Sequence, residues 1–171
     1  MGVAGAGKTT VATRLAQLLG CEVADADDFH PSANIARMSA GVPLTDEDRW
    51  PWLEAIAAWI RARDRAGRTA VVTCSALKRA YRQLLQAASP RGVFVHLTGT
   101  PELLAERIAG RRGHFMSPAM LASQLAVLEP LGPDEPGLTL DVTASPDELA
   151  RRIVDRLGLA PGAGPRAGPR A

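Results

Sequence analysis

Gly2-Val3-Ala4-Gly5-Ala6-Gly7-Lys8-Thr9 fits, without a mismatch, the spacing of a glycine, four residues and then Gly-Lys-Ser/Thr. Glycines at this spacing let the backbone take positive φ and turn successive N–H groups inward, forming a concave nest for the β-phosphate of a nucleotide. The helix that follows aims its positive end at the same anion. Lys8 then bridges the β- and γ-phosphates as a point charge, and Thr10 completes the nucleotide-binding stretch. The hydroxyl of Thr9 supplies one ligand of a magnesium ion that keeps several of its waters. The cofactors expected from this stretch are therefore a nucleotide and Mg2+. Helix context separates this stretch from a chance match in a Gly/Ala-rich terminus. Val11, Leu15, Leu18 and Leu19 recur at helical spacing, and Gly20 stands where a C-terminal cap belongs.

Lysine usage points the same way. Of 20 basic residues only Lys8 and Lys78 are lysines, so the cradle keeps a compact ammonium in a chain that otherwise favours arginine. A phosphate loop of this kind follows a buried parallel strand, and here only Met1 precedes Gly2. The first strand therefore reads as truncated: either the reading frame continues upstream of Met1, which is the expectation, or the protein is a crippled fragment.

At 171 residues with 46% hydrophobic and 22% charged content, the chain has the balance of one soluble globular domain. The domain is expected over residues 1–158, with a disordered Pro/Gly/Ala/Arg tail over 159–171. No apolar run reaches the length of a membrane span and no signal peptide precedes the cradle, so the expectation is a cytoplasmic protein without membrane association. Cys21 and Cys74 have neither metal nor redox spacing. The formal charge of +2 resides in Arg166 and Arg170 of the tail; without them 18 basic residues face 18 acidic ones. With 4% aromatic residues and no basic stripe, nucleic acid is not an expected partner.

Strand-like runs at 22–26, 69–74, 93–97 and 138–142 alternate with helical patterns, which predicts an α/β domain: a parallel sheet with helices on both faces. Thr45-Asp46-Glu47-Asp48 has the form of a capping box before a helix with Trp52, Ile56, Trp59 and Ile60 on its apolar stripe. A short helix before it presents Ile35 and Met38 on one face. Another helix is expected from Ser75, with Leu77, Tyr81 and Leu84 inside. Pro101 and Pro146 suit first helical positions. Residues 110–118 read as a lid loop.

Phosphoryl transfer needs positioning and charge neutralisation more than covalent chemistry. Asp25 and Asp27 close the first strand-like run, where open α/β sheets place their sites. Asp25 is expected to hold magnesium through water, and Asp27 to accept the proton of the substrate hydroxyl. Asp28 suits a turn or cap. In the lid, Arg111 is expected to close on the transferred group, and Arg112 either does so or is solvated. Arg107 either stacks on adenine or pairs with Glu102 or Glu106; His114 either contacts phosphate or shapes the loop. Arg49, Lys78 and Arg82 are cations near helix starts, where acids suit the dipole. Together with His30 they outline a pocket for a small anionic, hydroxyl-rich acceptor. If Arg49 or Arg82 pairs with a buried carboxylate of that acceptor, losing it costs roughly 2 to 5 kcal/mol.

These residues resemble the bacterial gluconokinases of the shikimate kinase-like P-loop group. The likeness rests on the cradle, Asp25-Ala26-Asp27-Asp28-Phe29-His30-Pro31, Gly41-Val42-Pro43-Leu44, Asp46-Glu47-Asp48-Arg49, Cys74-Ser75-Ala76-Leu77-Lys78 and Arg111-Arg112-Gly113-His114-Phe115, with Gln124 and Leu128-Glu129. It implies a P-loop kinase fold with strand order 2-3-1-4-5, transfer from ATP to D-gluconate giving 6-phosphogluconate, and a homodimer. Alternatives are a kinase for another small anionic hydroxy metabolite such as shikimate, or an ATP-binding paralogue that transfers nothing.

Overall fold

The computed structural model describes residues 1–110, 118–160 and 162. Residues 111–117 of the expected lid at 110–118, and most of the expected tail, lie outside the described residues. Helix α1 (Lys8–Leu19) leaves the cradle and stops at Gly20, whose φ of 61° turns the chain while its N–H reaches the carbonyls of Ala16 and Gln17. Strand β1 (Glu22–Asp25) ends in a 3-10 turn (Ala26–Phe29), and α2 (Ser32–Ser39) and α3 (Asp46–Arg65) follow. The Thr45 hydroxyl accepts from Asp48 N–H and the Asp48 carboxylate accepts from Thr45 N–H, so the expected capping box is built at α3. The rest of the chain is β2 (Ala70–Thr73), α4 (Arg79–Ala88), β3 (Phe94–Thr98), α5 (Pro101–Ala109), α6 (Pro118–Val127), β4 (Gly137–Asp141) and α7 (Pro146–Arg156). Prolines open α5 and α7 behind Thr100 and Ser145 caps, which accept from Leu103 and Glu148 N–H.

Two local expectations change. The helix expected from Ser75 begins only at Arg79, because Ala76 takes φ +43° and its carbonyl, with that of Leu77, turns to accept from the Arg82 guanidinium. On α2, Ile35 is 49% exposed and the buried residue is Asn34. Its side-chain N–H donates to the Asp48 carbonyl at 2.7 Å, tying α2 to α3. A buried amide is retained when its hydrogen bond is made.

The strands form two parallel pairs. β1 lies beside β2 with Asp25 opposite Thr73, and β3 beside β4 with Thr98 opposite Asp141. Among the described residues, only the start of the chain runs between the pairs. Met1 O accepts from Leu97 N–H (3.0 Å), the Met1 amine donates to Val95 O (2.5 Å), and Gly2 N–H donates to Ser75 O (3.1 Å). The pairs thus place the neighbours of the expected sheet side by side, while no strand ladder spans its middle among the described residues. Behind Met1 lies a cavity of about 470 Å³, bounded by Val71 of β2, Phe94 and Val95 of β3, Leu15 of α1, Ile60 of α3 and Leu85 of α4.

Core packing follows the same division. One cluster joins Val11 and Leu15 of α1 to Leu104, Val142, Leu149 and Ile153. The other joins Trp52, Leu53 and Ile56 of α3 to Tyr81 and Leu85 of α4. Each such aliphatic side chain contributes about 1.5–3 kcal/mol on full burial. Beyond α7, Leu159 N–H donates to Val154 O and its side chain packs on the first cluster. No helix among the described residues is long and apolar enough to cross a membrane.

Candidate active site

The cradle holds its shape because two of its positions exclude a side chain. A Cβ on Gly2 (φ +136°) would stand 2.5 Å from Leu97 O, and one on Gly5 (φ +79°) 2.7 Å from Leu104 O. Both contacts are with backbone, which cannot move aside cheaply, so strand β3 and helix α5 press the loop into its curve. Lys8 opens α1 and folds back over the loop, its Nζ donating to Val3 O at 3.1 Å. Thr9 follows on the exposed side of the first turn.

Asp25 stands at the end of β1, with all its bonds directed into the site. Its Oδ2 accepts from the Thr9 hydroxyl (2.9 Å), and its Oδ1 from the Thr73 hydroxyl (2.9 Å) and Asp27 N–H (3.2 Å). The parallel register that sets Asp25 opposite Thr73 makes the second of these bonds possible. A hydroxyl and a carboxylate side by side are hard oxygen donors of the kind that magnesium takes alongside phosphate oxygens and waters. Their chemistry fits that ion. Among the described residues no group of three His, Cys, Asp or Glu side chains could hold a metal by itself.

Asp27, one turn on, is exposed at the cleft. Beyond it the His30 ring stacks on Trp52, with centroids 4.4 Å apart and planes 9° from parallel. Trp52 is itself fixed by donating from Nε1 to Ala26 O at 2.7 Å. Burial pulls the His30 pKa below its usual value, Asp27 opposing and Arg49 adding to the effect. The half-buried Arg49 is steadied by a bond from Nε to Leu44 O.

These groups line one cleft of about 160 Å³: Gly5, Gly7, Lys8 and Thr9 on one side, with Asp25, Asp27, His30 and Arg49 facing them. Other candidates stand apart from it. Arg82 is 1% exposed and pairs through Nε and Nη2 with Glu135 at 2.5 and 2.8 Å. Its guanidinium also donates to the carbonyls of Ala76, Leu77, Glu129 and Pro130. It is a structural cation with its donors spent inside the protein. Lys78 Nζ contacts both Asp46 oxygens (2.6 and 2.8 Å). The same carboxylate accepts from the Tyr81 hydroxyl and is held below its usual pKa first by Lys78 and then by Tyr81. Arg107 donates to Val142 O at 2.7 Å, and Thr10 is exposed on α1 outside the cleft lining. Arg111 and His114 lie outside the described residues.

One contact was not among the expected site residues. Gln124 of α6 accepts through Oε1 from Ala4 N–H at 2.7 Å, which brings α6 against the cradle. A signal for it exists in the sequence: Gln124 is the polar residue on the face that carries Leu121, Leu125 and Leu128.

A glycine cradle opening a helix, with carboxylates at the end of the neighbouring parallel strand, defines a P-loop kinase. A family model described as an AAA domain matches residues 1–131. A gluconokinase of Gluconobacter oxydans is 47% identical over 154 residues, covering 90% of this chain and 86% of the relative. Among solved structures, an unliganded sugar kinase from Janibacter superposes with a TM-score of 0.90 at 49% identity, covering 97% of this chain and 96% of its own. A gluconokinase from Sinorhizobium meliloti gives 0.84 at 42% identity, covering 92% and 89%. The chain belongs to the gluconokinase family.

Proposed function

We propose that this protein transfers the γ-phosphoryl group of ATP to D-gluconate, producing 6-phosphogluconate and ADP. The observation that carries this reading is the cleft itself, which sets the cradle with Lys8, Thr9 and Asp25 against Asp27, His30 and Arg49. The cradle N–H groups and Lys8 bind the phosphates, and Arg107, anchored on Val142 O, offers its guanidinium plane to the adenine. Thr9 and Asp25 hold a magnesium ion that, when bound, offsets phosphate charge. Asp27 takes the proton of the acceptor hydroxyl as its oxygen attacks the γ-phosphorus, and the bond to the bridging oxygen breaks to release ADP. Arg49 and the neutral His30 ring meet the carboxylate and hydroxyls of gluconate, while Arg111 and His114 serve the transferred group. In this reading Lys78 and Arg82 lie outside the cleft lining and do not touch the acceptor.

The domain is taken to end near residue 158, ahead of the Pro/Gly/Ala/Arg tail, and the protein to work in the cytoplasm as a homodimer, which sedimentation would check. ATP turnover measured with gluconate, with shikimate and with no acceptor tests the assignment. Turnover only with gluconate is expected; equal turnover in all three would overturn it.

A further inference from the structure

We infer that Gln124 is a positioning residue for Lys8, acting through the single peptide unit that joins Val3 to Ala4. The Ala4 N–H donates to Gln124 Oε1 at 2.7 Å, and the Val3 carbonyl accepts from Lys8 Nζ at 3.1 Å. These are the two polar ends of one rigid plane. A tilt that suits one bond changes the other, so the amide on α6 and the ammonium over the cradle are set together. An N–H needs an acceptor, which also decides which end of the Gln124 amide faces the loop. The inference rests on the kinase reading above, in which Lys8 binds the phosphates.

The plane depends on Gln124 because little else within the loop holds its tilt. Strand β3 and helix α5 fix the path of the loop at Gly2 and Gly5, the glycines on either side of Val3 and Ala4. The turn bond that the loop itself puts on the plane, Ala6 N–H to Val3 O, is long at 3.4 Å. Val3 and Ala4 are both buried, so the Ala4 N–H requires a partner from the protein. Gln124 offers it from a fixed base. Leu121, one turn earlier on α6, is 4% exposed, and beyond the helix Glu129 N–H donates to Leu77 O at 2.8 Å. The Arg82 guanidinium holds the Glu129 and Pro130 carbonyls as well. Polarisation adds to the effect, since a peptide whose N–H already donates has a carbonyl that accepts more strongly. The half-buried Gln124 lies on the lining of the same cleft as Lys8, Asp25 and Asp27.

The test is a double-mutant cycle on the full chain with Gln124→Met and Lys8→Ala. Methionine keeps the length and helix propensity of glutamine and removes the acceptor. Affinity is read by titrating a non-hydrolysable ATP analogue with Mg2+ and no acceptor. With Lys8 in place, Gln124→Met is expected to weaken binding about tenfold, and to lower kcat by a similar factor while KM for gluconate holds. In the Lys8→Ala chain the same substitution is expected to change binding by less than about twofold. Equal losses with and without Lys8 would overturn the inference, because a glutamine that merely satisfied a buried N–H would be missed alike in both. No loss in either chain would overturn it too. In the ligand-free protein, Gln124→Met is expected to speed exchange of the Ala4 amide hydrogen about tenfold or more, with the thermal midpoint within a few degrees of the parent. A collapsed midpoint would make Gln124 a folding residue and overturn the inference. Because the affinities are read without acceptor, failure to phosphorylate gluconate would sink the kinase reading and leave this comparison standing.

Discussion

Two hollows among the described residues have opposite character. The larger, about 470 Å³, is lined mainly by aliphatic side chains and two strand edges, with Arg63, Asp64, Gln86 and Arg91 also on its lining; the smaller, about 160 Å³, gathers a lysine, an arginine, a histidine and two aspartates around a glycine loop. Size alone would rank them wrongly. A void in a core costs stability because its lining has lost contact partners. A polar cleft is sustained by hydrogen bonds that fix its charged groups, as Thr9, Thr73 and Asp27 fix Asp25. The first hollow is therefore a matter of folding and the second of chemistry, and substitutions should separate them.

The largest effect is expected in the cleft. Lys8→Ala should lower kcat/KM for ATP and gluconate by about a thousandfold or more, since it removes a cation from the charge that develops on transfer. The thermal midpoint should change by no more than a few degrees. A comparable fall in midpoint would make Lys8 a folding residue and erase the distinction. Next comes Arg82→Ala, which leaves Glu135 buried without its partner. It should cost about 3–5 kcal/mol of stability in denaturant titration. Activity per folded molecule should stay within a fewfold, and an Arg82→Met, Glu135→Leu pair should regain most of the loss. Arg49→Ala is smaller: about 2 kcal/mol, read as a roughly thirtyfold rise in KM for gluconate with KM for ATP held.

The pH dependence is the gentlest test. Burial lowers the Met1 amine from near 8 to about 5 and the His96 ring to about 4, so the folded state keeps both neutral where the unfolded state binds protons. Stability is then fully present above about pH 8 and declines as pH falls through 8 to 4. The amine contributes at most about 1.4 kcal/mol per pH unit. Extending the chain ahead of Met1 should flatten the part between 8 and 5 and leave the part due to His96. Denaturant midpoints across this range would show it.

Features governed by neighbours in sequence were legible without coordinates. The cradle, the Gly20 stop, the Thr45–Asp48 box and the prolines opening α5 and α7 are all set within four or five residues, and each stands where its local chemistry predicts. Contacts made across the chain were not legible. Arg82 looked like an acceptor cation because the carboxylate that claims it, Glu135, lies 53 residues on. The same guanidinium draws in the Ala76 and Leu77 carbonyls, so the helix expected at Ser75 starts late. Asn34 displaced Ile35 from the buried face of α2 because its partner is the Asp48 carbonyl on another helix. In the candidate site, Asp25, Asp27, His30 and Arg49 were found as residue types at strand and helix ends, where α/β sheets put chemistry. The Gln124 contact with Ala4 requires knowing that α6 returns to the loop.

The stacking of His30 on Trp52 has an optical consequence. An indole whose emission depends on the charge and distance of the imidazole lying on it is a built-in reporter for the acceptor end of the cleft. Gluconate arriving beside His30 should change tryptophan fluorescence without any label, and nucleotide alone should leave that signal nearly still.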